Sequence, residues 1–168
     1  MIFVTVGTHE QPFDRLLIEI DRLASDKVID EKMFIQSGYS AYKPIACDYK
    51  PFLGFDEMMQ KMASARVIIT HCGSSTIMQA IQLGKLPIVV PRQKIYKEHV
   101  DDHQVLFARY LKEKEKVIVV TDIRDLEISV LSYDSIISKQ AGTFSTSHFQ
   151  EDAECFARRL DEAIQGLF

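Results

Sequence analysis

Short, nearly continuous apolar runs alternate with segments of helical period along most of this chain, and that alternation leaves few folds open. Runs at residues 2–6, 33–36, 49–53, 67–70, 88–90 and 117–120 read as strands. After Pro12, a residue suited to a helix start, Phe13, Leu16, Leu17, Ile20 and Leu23 keep a 3.6-residue period. Asp56 is placed to cap a helix whose Met58, Met59 and Met62 read as core filler. Further helices are expected over 75–83, ended by Gly84, over about 100–113, and as a short piece after Asp122. Residues 134–148 are polar and rich in Ser and Thr, and read as a loop. A last helix, about 149–166, carries an apolar stripe from Ala153 to Leu167, suited either to packing on the chain's own sheet or to docking on a partner. Strands that are apolar on both faces, separated by helices, predict an α/β fold: one domain over 1–168, a Rossmann-like parallel sheet with helices on both faces.

Composition excludes several classes of function. The net charge is −4, which gives no bulk attraction to nucleic acid or to anionic lipid. Cys47, Cys72 and Cys155 are three and far apart, so neither a disulfide framework nor a zinc site is expected, and a reducing, cytoplasmic setting fits best. The N-terminal run lacks a basic region before it and reads as a first strand rather than a signal peptide. No run approaches the roughly 20 apolar residues of a membrane span.

In a parallel α/β sheet, ligands bind at the carboxyl ends of the strands. Here those ends are Gly7-Thr8-His9, the loop near Phe55, the turn His71-Cys72-Gly73-Ser74-Ser75, and Pro91 onward. Gly73-Ser74-Ser75 lies where a strand turns into a helix. Unpaired N–H groups and the helix dipole favour an anion there, and small residues let a phosphate approach the backbone. The competing reading is a plain turn with Ser74 as helix cap. Gly7-Thr8 is placed to line the same crevice, but it lacks the spaced glycines of a dinucleotide-binding loop. His71 either donates to a phosphate oxygen or is satisfied by a carbonyl. Cys72 would be activated if its thiol faced the helix N-terminus, but neighbouring strand residues point to opposite faces, so it reads as packing. His99, Asp102 and His103 have the i, i+3, i+4 spacing of metal ligands on one helix face. No fourth ligand is evident, and Asp102, His103 and Gln104 read better as hydrogen-bonding groups at the mouth of the crevice.

Three motifs in order, FVTVGT, THCGSSTIMQAIQLGKLPIVVP and DDHQ, resemble the C-terminal domain of glycosyltransferase family 28 over about residues 1–120. The nearest resemblance is to small stand-alone subunits of bacterial capsule and exopolysaccharide glycosyltransferases, and to the small subunit of the eukaryotic dolichol-linked N-acetylglucosamine transferase. The resemblance implies the donor-binding half of a GT-B fold. It implies that Gly73, Ser74 and Ser75 hold a UDP-sugar diphosphate, with His71, Gly7 and Thr8 lining it. The backbone near Phe55 would meet the uracil, and His103 and Gln104 the transferred sugar. Where many relatives carry a Glu for the ribose hydroxyls this chain has Gln79, which can bond to hydroxyls without a charge. The implied reaction moves a sugar, with inversion, to a polyprenyl-diphosphate-linked saccharide in surface-polysaccharide synthesis. No cofactor or metal is implied, since UDP-sugar is itself the substrate. The acceptor would be held by a membrane-associated partner subunit, which would bring this chain to the inner face of the membrane. The general base would come from that partner or be His9. Two alternatives remain: a nucleotide-binding regulatory or adaptor module without turnover, and a Cys- or metal-dependent hydrolase.

Overall fold

The computed structural model describes residues 1–140. Six parallel strands form one sheet: β1 (Ile2–Thr5), β2 (Met33–Gln36), β3 (Asp48–Lys50), β4 (Val67–Thr70), β5 (Ile88–Val89) and β6 (Ile118–Val119). Their order across the sheet is β3-β2-β1-β4-β5-β6. The direction of winding reverses at the centre, where β1 pairs with β2 on one side and β4 on the other. A parallel doubly wound sheet opens a crevice at that reversal, above the carboxyl ends of the two central strands.

Alternation along each strand sends its side chains to two separate cores. Ile2, Val4, Ile35, Val67, Ile69 and Ile88 pack with Phe13, Leu16, Leu17, Ile20 and Leu23 on and around α1 (Asp14–Ser25). Leu126 and Val130 of α5 (Leu126–Leu131) and Tyr133 of α6 (Tyr133–Gln140) close the same face. Phe3, Phe34 and Ile68 turn the other way, onto Met62 of α2 (Phe55–Ser64) and Ala80 of α3 (Ser74–Gln82). Val89 joins Ile77 and Ile81 of α3 with Phe107, Ala108 and Leu111 of α4 (His103–Glu113) on that second face. The expected sheet with helices on both faces is therefore what forms, and Met58, Met59 and Met62 do fill core.

Several expectations differ in detail. The third strand is Asp48–Lys50 rather than 49–53. The second helix starts about two residues earlier than a cap at Asp56 requires: Gly54 occupies the cap position and Asp56 lies in the first turn. Gly84 ends α3 as expected, with φ +69, and Asp122 accepts from the Arg124 N–H at the start of a 3₁₀ turn. Residues 133–140, read mostly as loop, are helical. One of its two serines, Ser138, donates to a carbonyl four residues back, Asp134 O, so a residue type that usually favours turns is satisfied inside the helix. Tyr133 anchors this helix, buried with its hydroxyl donating to Leu86 O at 3.0 Å. The expected C-terminal helix and residues 141–148 lie outside the described residues. Among the described residues, no helix is long and apolar enough to cross a membrane.

Candidate functional site

The crevice at the strand reversal is built around one imidazole. His71 follows β4, and its main-chain N–H donates to Thr5 O of the neighbouring strand at 3.2 Å. Its ring fills the space between the loop after β1 and the turn before α3. A Cβ placed on Gly7 would lie 2.4 Å from His71 Cε1, and one placed on Gly73 would lie 2.3 Å from His71 Nε2. Only glycine lets both backbones approach the ring this closely. Gly7 has in addition a φ of +74, which glycine adopts without cost. Nδ1 of His71 lies 3.3 Å from the Thr70 hydroxyl, so Nε2 is the nitrogen facing the two glycines.

Burial, and then the positive charge of Arg92, push the His71 pKa down to about 4, so the ring is neutral at physiological pH. α3 starts directly after it. Gly73 holds the cap position in an extended conformation and no side chain caps the helix. By helix geometry the N–H groups of Ser74, Ser75 and Thr76 have no acceptor within the helix. Ser75 is exposed and Ser74 half-buried, so Ser74 is not the side-chain cap that the plain-turn reading required. Thr8 is exposed beside Gly7. Gln79 sits half-buried on the second turn of α3.

Phe55 opens α2 at the carboxyl end of β3, with its side chain 69% exposed. Cys72 is turned away from the crevice into the core with Ile77 and Phe107, and burial raises its thiol well above the usual range. It has no thiolate to offer a nucleophilic mechanism at neutral pH.

Arg92 was not singled out from the sequence, and it organises the other half of the site. It is fully buried. Its guanidinium donates to Val6 O (2.9 Å), Gln11 O (2.7 Å), Pro12 O (3.3 Å) and Glu98 O (3.1 Å), and its plane sits 4.8 Å from the Phe13 ring centroid. Burial lowers its pKa to about 10, which leaves it charged. The Glu98 carboxylate is taken by Arg15, at 2.8 and 2.9 Å, and the hydrogen bonds of the Arg92 guanidinium go to main-chain carbonyls. One buried cation thus ties the loop after β1 to the segment after β5. The available signal was an Arg directly after the apolar run 88–90 and Pro91, where a strand end meets a crevice.

Gln104 is buried, and its side-chain oxygen accepts from the Arg92 N–H at 3.1 Å, leaving its amide NH₂ as the group it can offer outward. His9, His99 and His103 form a row, with ring centroids 4.6 and 4.5 Å apart. His9 accepts from the Gln11 N–H through Nδ1. The expected helix over 100–113 begins only at His103, so the spacing of His99, Asp102 and His103 does not bring them together as a helix face would. Asp102 occupies the cap position and accepts from the Lys94 N–H at 2.9 Å. The carboxylate that meets both imidazoles is Asp101.

Comparison with known proteins finds a family for most of the chain. Residues 1–154 match the glycosyltransferase family 28 C-terminal domain. The UDP-N-acetylglucosamine transferase subunit ALG13 of Yarrowia lipolytica is 31% identical over 67 residues, which is 40% of this chain and 32% of that protein. The chain therefore matches about a third of that relative's length. The glycosyltransferase SnogD from Streptomyces nogalater superposes with a TM-score of 0.38 at 22% identity, over 55% of this chain and 26% of that one. With nearly its whole length matched, and with the doubly wound parallel sheet in place, this chain belongs to the glycosyltransferase family 28 C-terminal domain family.

Proposed function

We propose that the chain is the donor-binding half of an inverting glycosyltransferase that takes a sugar from a UDP-sugar. The observation that carries this reading is the crevice itself: an uncapped helix N-terminus at Ser74, two glycine backbones packed on the neutral His71 ring, and the buried charge of Arg92 behind them. In the transfer, an acceptor hydroxyl attacks the anomeric carbon. The bond from that carbon to the diphosphate breaks, and the hydroxyl proton passes to a general base. Negative charge grows on the departing diphosphate. The N–H groups at the start of α3, the Gly7-Thr8 backbone and a hydrogen bond from His71 would stabilise it without a metal. Phe55 and Gln79 would lie along the nucleoside, and His103 and the amide of Gln104 would meet the sugar. His9 is the base available on this side; a partner subunit is the other source.

The name of the Yarrowia lipolytica relative makes UDP-N-acetylglucosamine the first donor to try, and the word subunit in that name supports a partner. The acceptor we propose is a polyprenyl-diphosphate-linked saccharide of capsule or exopolysaccharide synthesis, presented by a membrane-associated subunit at the inner face of the membrane. Calorimetry with UDP tests the donor site. Ser74→Asp puts a carboxylate where the phosphates should lie and is expected to weaken UDP by at least about tenfold, or 1.4 kcal/mol. Unchanged affinity in a folded variant would remove the diphosphate from this turn.

A further inference from the structure

The geometry points to a binding site for a divalent transition-metal ion of the zinc class, formed by His99, Asp101 and His103. One ligand atom from each lies within 4.8 Å of the others. Asp101 Oδ1 is 2.5 Å from His103 Nδ1 and 3.2 Å from His99 Nδ1, so a single carboxylate oxygen faces two imidazole nitrogens. Two imidazoles and one carboxylate are a donor set that suits zinc and its first-row neighbours rather than calcium or magnesium. Around a tetrahedral ion with bonds of about 2.1 Å, neighbouring ligand atoms stand about 3.4 Å apart. The 3.2 Å pair already has that spacing. The 2.5 Å pair has to open by less than an ångström as the ion takes the place of a hydrogen-bonding proton.

The surroundings favour occupancy. The His103 main-chain N–H donates to Asp101 Oδ1 at 3.1 Å, which orients the carboxylate from outside the coordination sphere. The Asp102 bond to the Lys94 N–H ties down the turn that carries all three ligands. The side chains of Asp101 and His103 are 48% and 40% exposed, which gives an ion a way in and leaves a fourth position for water. His99 Nδ1 accepts the Asp101 main-chain N–H at a long 3.5 Å, a contact an ion would replace. His9 packs against His99 but lies outside the group of ligand atoms within 4.8 Å of one another. A sequence reading by helical spacing would take Asp102 for the carboxylate; the backbone turns one residue later and supplies Asp101 instead. This site does not depend on the donor-binding reading. An ion held there would engage His103, so its occupancy and a sugar contact at His103 would exclude each other.

The test uses the full chain, stripped with a chelator and titrated with Co²⁺ while its visible absorption is followed. One saturable equivalent with ligand-field bands is expected, displaced by Zn²⁺. His99→Ala and Asp101→Asn should each weaken Co²⁺ by at least about tenfold. Asp101→Asn is nearly isosteric at a half-exposed position, so thermal melts should confirm that it folds even if His99→Ala does not. Absence of a saturable band would overturn the site. So would a band that Asp101→Asn leaves unchanged, since the ion would then be held elsewhere.

Discussion

The turn at 71–75 and the segment at 91–104 face the same crevice and are built on opposite principles. The first is made of small residues and backbone: Gly73, with Gly7 of the loop after β1, closed on one imidazole, and a helix start left uncapped. The second is made of buried charge: Arg92 bonded to four carbonyls, Glu98 to Arg15 and to the Gln93 N–H, and Gln104 to the Arg92 N–H. Small residues make room for a ligand, but they do not hold two loops together. A guanidinium with several donors in a fixed plane can do that where a strand ladder has ended. The difference teaches that the ligand surface and the frame of this site are separate parts, and variants should separate them.

The largest effect is expected from removing the frame. Arg92→Met keeps much of the volume and leaves the carbonyls of Val6, Gln11, Pro12 and Glu98 without their donor. Buried acceptors stranded in this way should cost about 3–5 kcal/mol in urea denaturation. Arg92→Lys, a single point charge, should recover only part of it. A Met variant as stable as the parent would show that the loops are held by something else. A smaller loss is expected on the ligand side. Gly73→Ala drives a methyl into the His71 ring and should cost about 1–3 kcal/mol. In a His71→Ala background the same change should cost at least about 1 kcal/mol less, because the obstruction is gone. Equal costs in the two backgrounds would mean that the close approach of Gly73 to the ring is not what selects glycine.

This division also explains what could be read before the structure. Strand periodicity gave the sheet because Ile2, Val4, Phe3 and Ile68 are apolar whichever face they serve. The turn at Gly73 was legible because an apolar strand run and a helical period meet there across small residues. Arg92 was not, because a buried cation is recognised by the carbonyls around it, and those come from residues 6, 11, 12 and 98, remote in sequence. Asp101 was displaced by Asp102 for a local reason: whether residues 99–102 are helical decides which carboxylate meets the imidazoles, and periodicity does not fix a helix boundary to one residue. The helix over 133–140 was missed because its serines read as loop, while Tyr133 and its bond to Leu86 O supply the anchor from outside the segment.

The smallest effect sharpens the same comparison, because it asks whether the frame reaches the ligand side through charge. The free imidazole pKa is 6.5, and burial with the Arg92 charge brings His71 to about 4. Between those values the unfolded chain binds a proton that the folded chain refuses. Stability from this group is therefore complete above about pH 6.5 and declines as the pH falls toward 4. His71→Gln has no proton to bind in either state. The stability of the parent relative to His71→Gln should fall by about 1 kcal/mol between pH 6.5 and 5.5, measured by urea denaturation at each pH. His9 and His99 are also lowered, but they titrate in both proteins and cancel to first order in the difference. A difference that stays flat with pH would mean that the protonated His71 ring finds solvent despite Gly7 and Gly73, and that the turn is looser than its close contacts imply. If the same difference, taken with and without His71→Gln in an Arg92→Met background, falls less between pH 6.5 and 5.5 than it does in the parent, that lost share belongs to the buried guanidinium.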